Sequence, residues 1–374
     1  MPAVICGYFR SPFTPAKKGD LANTRPDDIA AEVVKGLIEK TGIDPNLIED
    51  LILGCAFPEA EQGFNLGRML SFLSELPPTV AGVTVNRFCG SSMQAIHDAA
   101  GRIAMGSGDA FIAGGVESMT RIPMSGFNPM PNPRLAAEMP DAFTNMGLTA
   151  ENLATIYEIK RESQEKFAIE SHLRAANADF TDVIIPITTA DGIVSTDGCI
   201  RPTSNASSLA RLGPVFKADG SVTAGTSSPL TDGAAFVLIC SKKFAIAQGL
   251  KILASIESTA VSGCSPEIMG IGPVAASQKA LARAGVSLKD IDVIELNEAF
   301  SAQSLAVIEE LGLDTSKVNI DGGALALGHP LGASGARIVG RAVTILTRNK
   351  ANIALATMCI GGGQGIATVL RRVE

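Results

Sequence analysis

Short apolar runs alternate along the chain with stretches whose apolar residues recur every three or four positions. That alternation predicts buried strands separated by amphipathic helices. "LIEKTGIDPNLIEDLIL", Leu37 to Leu53, reads as the end of a helix, a glycine stop and a buried strand. "ALARAGVSLKDIDVIEL", Ala280 to Leu296, reads the same way. The two align without gaps, Gly42 on Gly285, Ile48 on Ile291, Leu51 on Ile294 and Leu53 on Leu296, at an offset of 243 (285 − 42). The same offset lays "CGSSMQAIHDAAGRIAMGSGDAFIAGG" over "GASGARIVGRAVTILTRNKANIALATM", with Ser91 on Ser334 and Ile112 on Leu355. Each of these is a small-residue turn, a helix and a buried strand. One shared register across separated blocks predicts a single α/β unit used twice, each copy a parallel or mixed sheet covered on both faces.

Between the copies the pattern changes. From about Val116 to Ala224 the chain is rich in Pro, Asn and Met, as in "SGFNPMPNPRLAAEMPDAF", and contains one clear amphipathic helix, "RESQEKFAIESHLRAANADF". Such insertions in compact enzymes form lids or binding loops. "DGAAFVLICS", Asp232 to Ser241, reads as a return strand that completes the first copy. The predicted organisation is therefore a first half over residues 1–115, completed by 225–252, a loop domain over 116–224, and a second half over 253–374.

Composition narrows the function classes. The chain has 374 residues, 46% of them hydrophobic and 18% charged, no Trp and only two Tyr, the profile of a compact α/β protein rather than a disordered one. A net charge of −7 with no Lys/Arg run excludes a nucleic-acid binder. The N-terminal "MPAVICGYFRSPFTPAKKGDL" has only a brief apolar stretch, broken by Gly7, Pro12 and Pro15, which fits neither a signal peptide nor a membrane span. The expected location is the cytoplasm, without membrane insertion. Seven scattered cysteines with no CxxC and no Cys/His ligand spacing support neither a disulfide framework nor a metal site.

Only three histidines are present. His172 lies in the charged amphipathic helix and reads as a solvated surface residue. His97 falls eight positions after Cys89 on the same predicted helix. At the standard rise that is about 12 Å along the axis, too far for contact with the thiol. His329 remains, in "GGALALGHPLGASGARIVG", either satisfied by backbone in a tight loop or used in chemistry. The repeat makes the turn beside His329 the counterpart of the turn beside Cys89, so pairing of the halves brings a thiol and an imidazole together as a nucleophile and base. A helix N-terminus and an imidazolium would lower the thiol into its reactive range. Position alone leaves Cys89 open between nucleophile and buried core cysteine.

"ATMCIGGGQGIATVL" places three glycines after Cys359. A dinucleotide fingerprint should lead into a helix, whereas "GIATVL" alternates like a strand, so the glycines better serve close backbone approach and N–H groups for an oxyanion. "LNEAF", Leu296 to Phe300, puts Asn297 and Glu298 at the end of the repeated strand, where α/β sheets carry their sites. The plainer reading of that pair is a helix cap.

The motifs "NRFCGSSMQA", "GGVESM", "MGLTAEN", "NEAF" with "GGALALGHPLGASGAR", and "CIGGGQG", in this order, resemble the thiolases, acyl-CoA:acetyl-CoA acyltransferases, from the N-terminus almost to the last residue. "NRFCGSSMQAIHDAA" and "TAGTSSPLTDGAA" resemble most the 3-ketoacyl-CoA thiolases of fatty-acid β-oxidation. The resemblance implies an α/β thiolase fold, a five-layer αβαβα arrangement of two similar halves with an inserted loop domain. It implies Cys89 as acyl-carrying nucleophile, His329 as acceptor of its proton, and Cys359 as the acid/base at the acetyl-CoA carbanion. One anion site would be His329 with a water held by Asn297, the other the backbone N–H groups of Cys89 and Gly361. Ser228 matches a position near the pantetheine arm, Arg201 and Phe216 match coenzyme contacts in a variable region, and Met146, Ala299 and Phe300 complete the implied substrate contacts. No metal or redox cofactor is implied; coenzyme A is a substrate. Implied partners are 3-ketoacyl-CoA and CoA, a homodimer or tetramer, and a hydratase/dehydrogenase of a β-oxidation complex.

Two departures bear on substrate choice. Asn145 stands where acetoacetyl-CoA-specific biosynthetic members carry a histidine, which favours a broader 3-ketoacyl range. Met119 to Asn145 is also shortened relative to typical members, in a region that shapes the acyl pocket and tetramer contacts. The rival readings are a biosynthetic acetoacetyl-CoA thiolase, which the same residues serve, a thiolase-like lipid binder, and a ketoacyl synthase. A binder needs no pair of thiols flanking a histidine, and a synthase needs a second catalytic histidine that neither His97 nor His172 provides.

Overall fold

A computed structural model describes residues 2–373 of the chain. The first half runs β1 (Ala3–Arg10), β2 (Thr14–Pro15), α1 (Pro26–Thr41), β3 (Asp50–Gly54), α2 (Leu66–Leu73), β4 (Ala81–Val85), α3 (Ser91–Met105) and β5 (Ala110–Ser118). The inserted stretch holds α4 (Pro133–Glu138), α5 (Met146–Ile156), α6 (Arg161–Asn177), a hairpin of β6 (Ile187–Thr189) and β7 (Gly192–Val194), and α7 (Ala206–Leu209). β8 (Thr231–Ser241) then returns to the first sheet, followed by α8 (Lys242–Ala247). The second half comprises β9 (Ala254–Gly263), α9 (Gly272–Ala284), β10 (Val293–Leu296), α10 (Ser301–Leu311), α11 (Ala324–Leu327), α12 (Leu331–Asn349), β11 (Ile353–Ile360) and β12 (Gln364–Arg372).

Local chemistry sets these boundaries. Helix α1 opens on Pro26 with Asp27 and Asp28 in its first turn and closes on Gly42 at φ 69°. Its counterpart α9 has Pro273 near its start and closes on Gly285 at φ 66°. The repeated glycines are thus repeated left-handed helix caps. The repeat continues in the sheets. In the first half the strand order is β1-β8-β5-β3-β4, and in the second it is β9-β12-β11-β10, with β1 paired to β9 so that the two sheets join. In each half the inner strands alternate parallel and antiparallel pairings in the same sequence: β5 is parallel to β3 and antiparallel to β8, and β11 is parallel to β10 and antiparallel to β12.

Three apolar cores stack these elements into five layers. Ile29 and Val33 of α1 and Leu70 of α2 pack on Leu51, Leu53 and Ile112 of the first sheet. Leu281 of α9 and Val307 of α10 pack on Ile294, Leu296 and Leu355 of the second. Between the sheets, Met93 and Ile96 of α3 and Ile338 and Val339 of α12 meet Ile52 and Phe111 from one side and Met358 and Ile360 from the other. Adjacent strand residues such as Ile112 and Phe111 therefore serve opposite cores, which is why these strands read as unbroken apolar runs.

The insertion is more regular than its composition predicts. β5 continues through Ser118, beyond the expected start of the loop domain, and α5 forms from "MGLTAENLATI", capped by the Asn145 side chain, which accepts from Gly147 N at 2.8 Å. The insertion is anchored by Asp197, whose carboxylate accepts both Arg10 terminal nitrogens at 2.7 Å and Phe13 N at 2.8 Å beside the first sheet. Among the described residues no helix is long and apolar enough to cross a membrane.

A backbone-to-backbone contact between the halves requires glycine. A Cβ on Gly115 would lie 2.2 Å from Gly332 O and 2.5 Å from Gly54 O. Gly115→Ala is expected to lower stability by about 1–3 kcal/mol, the usual cost of overpacking, read as a lower urea midpoint with an unchanged m-value.

Candidate active site

Cys89 lies in the single 3₁₀ turn Phe88–Gly90, between the end of β4 and the first residue of α3. Phe88 holds φ 43°, an unfavourable conformation for a residue with a Cβ. The turn is pinned on both sides. Asn86 Oδ1 accepts Phe88 N at 2.8 Å, while Ser91 Oγ accepts Arg87 N at 2.9 Å and donates to Phe88 O at 2.6 Å. Arg87 ties it to the second half through a 2.8 Å bond to Gln364 Oε1.

Burial pushes the Cys89 thiol up to about 11, partly offset by the backbone N–H groups of Gly361 and Cys89 itself. The expected lowering by a helix start and an imidazolium is therefore absent from the ligand-free protein. Desolvation outweighs the local dipoles, and the nearby imidazole carries no charge.

That imidazole belongs to His329, between Gly328 at φ 98° and Pro330 at the start of α12. Its backbone N donates to Thr231 Oγ1 at 3.1 Å, Nδ1 lies 2.5 Å from Ser334 Oγ, and Nε2 lies 3.3 Å from Asn297 Nδ2. Burial, reinforced by the positive charge of Arg337, pulls its pKa down to about 3. It is neutral across the physiological range.

Cys359 is the penultimate residue of β11, just before the glycine turn, in which Gly362 and Gly363 take φ 78° and 83°. Burial pushes its thiol far above the usual range, and a charge on neighbouring Cys89 would push it further. Gly361 is buried in the same turn.

Asn297 and Glu298 do not cap α10, which correlates with no side-chain bond at its start. Asn319 instead brackets the strand end, accepting Leu296 N at 2.9 Å and donating to Leu296 O at 2.8 Å and to Glu298 Oε1 at 2.7 Å. Glu298 Oε2 also accepts Ser171 Oγ at 2.6 Å and Leu325 N at 3.2 Å. Asn297 is left facing His329 with its Oδ1 buried and without a protein partner.

A cavity of about 460 Å³ joins these groups. Cys89, His329 and Cys359 line it together with Met146, Ala299, Phe300, Arg201, Phe216 and Ser228. Phe216 and Phe300 form an edge-on pair with centroids 5.8 Å apart. Asn297 and Gly361 are not in the wall; they act on His329 and Cys89 from behind it. Sequence reading missed Met119, Met124, Met269 and Leu331 of the wall, and Ser334 and Thr231 beneath it. Scattered thioethers have no period to reveal them.

The other histidines sit elsewhere. His97 Nε2 bonds Thr368 Oγ1 of β12 at 2.8 Å. His172 is buried, not solvated, and its Nδ1 accepts Arg201 N at 3.1 Å. The charged pattern of α6 misleads because the helix packs against α10 and α11, so several polar residues face protein.

Residues 3–243 match the family model of the thiolase N-terminal domain, and residues 250–372 that of the thiolase C-terminal domain. The chain is 48% identical to a 3-ketoacyl-CoA thiolase of Pseudoalteromonas translucida and 50% identical to one of Shewanella baltica, in both cases over 99% of either sequence. The human mitochondrial 3-ketoacyl-CoA thiolase solved in complex with CoA superposes with a TM-score of 0.92 at 36% identity, covering 100% of this chain and 98% of that one. The acetyl-CoA acetyltransferase of Bacillus anthracis gives 0.92 at 37% identity, covering 100% and 99%.

With its thiol held near 11, Cys89 of the ligand-free protein should be alkylated by iodoacetamide at a rate that keeps rising with pH beyond 9. Peptide mass spectrometry of timed samples measures this, and a plateau below pH 8 would contradict the burial argument.

Proposed function

The chain belongs to the thiolase family, and from that membership we propose that it is a 3-ketoacyl-CoA thiolase, cleaving 3-ketoacyl-CoA with CoA to acetyl-CoA and a shortened acyl-CoA. The observation that carries this reading is the meeting of Cys89, His329 and Cys359 in one cavity, with Asn297 on His329.

Cys89 Sγ attacks the C3 carbonyl while His329 takes the thiol proton. Both groups rest neutral and buried, so the proton moves as the carbon–sulfur bond forms and no free thiolate accumulates. The C2–C3 bond then breaks, leaving the acyl group on Cys89 and an acetyl-CoA enolate, which Cys359 protonates at carbon. Cys359 next takes the proton of the incoming CoA thiol, whose sulfur attacks the acyl-enzyme. The shortened acyl-CoA departs, and His329 returns a proton to Cys89. The enolate oxygen is met by the protonated His329 with a water on the otherwise unpartnered Asn297 Oδ1, and the acyl oxyanion by the N–H groups of Cys89 and Gly361. Protein groups and coenzyme A suffice for every step, without a metal or redox cofactor.

Asn145, at the cavity wall, spends its side chain on capping α5, so no imidazole enters the acyl region there, in keeping with a 3-ketoacyl range beyond four carbons. Assembly is read as a homodimer. β4 is the outer strand of the sheet, only partly covered, beside exposed Phe64, Phe72 and Leu73, and an open apolar edge favours pairing with a second copy. The cytoplasm fits the seven free cysteines, and a hydratase/dehydrogenase partner fits the need for a supply of 3-ketoacyl-CoA.

Cys89→Ser should abolish thiolysis; near-normal turnover would sink the assignment. Cys359→Ala should still take an acyl group from acyl-CoA onto Cys89, seen as a mass adduct, while losing carbon–carbon cleavage by at least about 10²-fold.

A further inference from the structure

We propose that Ser334 is a positioning residue that fixes which nitrogen of His329 carries the proton, leaving Nε2 free to take the proton of Cys89. The inference rests on the thiolase reading for its kinetic consequence, but its structural content stands by itself.

Ser334 is fully buried in the first turn of α12, and its Oγ has two neighbours, Pro330 O at 2.9 Å and His329 Nδ1 at 2.5 Å. A hydroxyl has one proton, and a carbonyl oxygen can only accept. The proton therefore goes to Pro330 O, and Oγ turns a lone pair towards Nδ1, which must donate. A neutral imidazole has a single N–H, so Nε2 is bare. The other contact agrees, since Asn297 Nδ2 at 3.3 Å is a donor facing Nε2. The serine argument does not depend on how the Asn297 amide is turned. Because burial keeps the ring neutral, the position of its one proton decides whether it can act as a base.

The repeat supplies an independent parallel. Ser91, the counterpart of Ser334 at the 243-residue offset, donates to Phe88 O at 2.6 Å and accepts the backbone N–H of Arg87 at 2.9 Å. In both halves a hydroxyl in the first helical turn donates back to a carbonyl of the preceding turn and accepts an N–H. In the first half that N–H belongs to the strained turn bearing the nucleophile; in the second it belongs to the base itself.

The test uses the full-length protein labelled with ¹⁵N-histidine, the His329 ring signals being identified by their loss in His329→Asn. Ring nitrogen shifts should show Nδ1 protonated and Nε2 bare in the wild type, and a gain of the Nε2–H form in Ser334→Ala. Thiolysis by Ser334→Ala should fall about 10- to 100-fold in kcat, by analogy with losing the outer hydrogen bond that orients a metal-bound imidazole, with KM changed less than about threefold. Ser334→Thr, which keeps the hydroxyl, should recover the wild-type tautomer and most of kcat. A wild-type ring in the Nε2–H form overturns the proposal, whether or not Ser334→Ala folds. So does loss of activity with an unchanged tautomer, which marks a structural role, or a shifted tautomer with unchanged kcat. Absence of wild-type thiolysis on any 3-ketoacyl-CoA would count against the thiolase reading while leaving the tautomer measurement to stand.

Discussion

One buried carboxylate holds the two halves of the site in register. Glu117, near the end of β5, accepts Ala56 N at 2.8 Å and Gln62 Nε2 at 2.7 Å from the first half, and Gly332 N at 2.9 Å from the first turn of α12 in the second. Helix α12 has no cap from its own N-cap residue, Pro330, so the other half supplies it. The charge costs free energy to bury, and burial raises the Glu117 pKa against the pull of its donors. The contact places the His329 loop beside β5 with little freedom, because Gly115 and Gly332 already touch backbone to backbone.

From that junction the rest of the chemistry follows. The two inner helices, α3 and α12, are covered by sheets on both sides, so the groups at their starts are cut off from water. Desolvation then decides the resting protonation states: both thiols stay protonated and the imidazole stays neutral. Such a site cannot rely on a preformed ion pair. It relies on fixed donors and lone pairs, the N–H groups at Cys89 and the amide at His329, which exert their full effect only as charge develops in a low-dielectric surrounding.

Much of this was legible in the chain. The constant offset between halves came from glycine caps and unbroken apolar strands, and both have physical causes that recur wherever the same α/β unit is built. The cysteine and histidine that meet in the cavity were reached by a short elimination, since two of three histidines lay in the wrong segments. What misled was environment. His172 sits on a helix whose charged pattern predicts solvent, yet that helix is covered by α10 and α11. Asn145 was weighed as a change in a substrate contact, and it is also a helix cap.

The sequence by itself determined the duplicated architecture and the family motifs, and it put Cys89, His329 and Cys359 forward as candidates, because periodicity, spacing and motif order are properties of the chain. Only the tertiary structure decided their electrostatic state and their partners. The depth of Cys89, the neutrality of His329, the thioether wall of Met119, Met124 and Met269, and the Asn297 amide at Nε2 all arise from segments far apart in the chain. Burial and hydrogen-bond direction are set by what packs around a residue, and no local pattern encodes that.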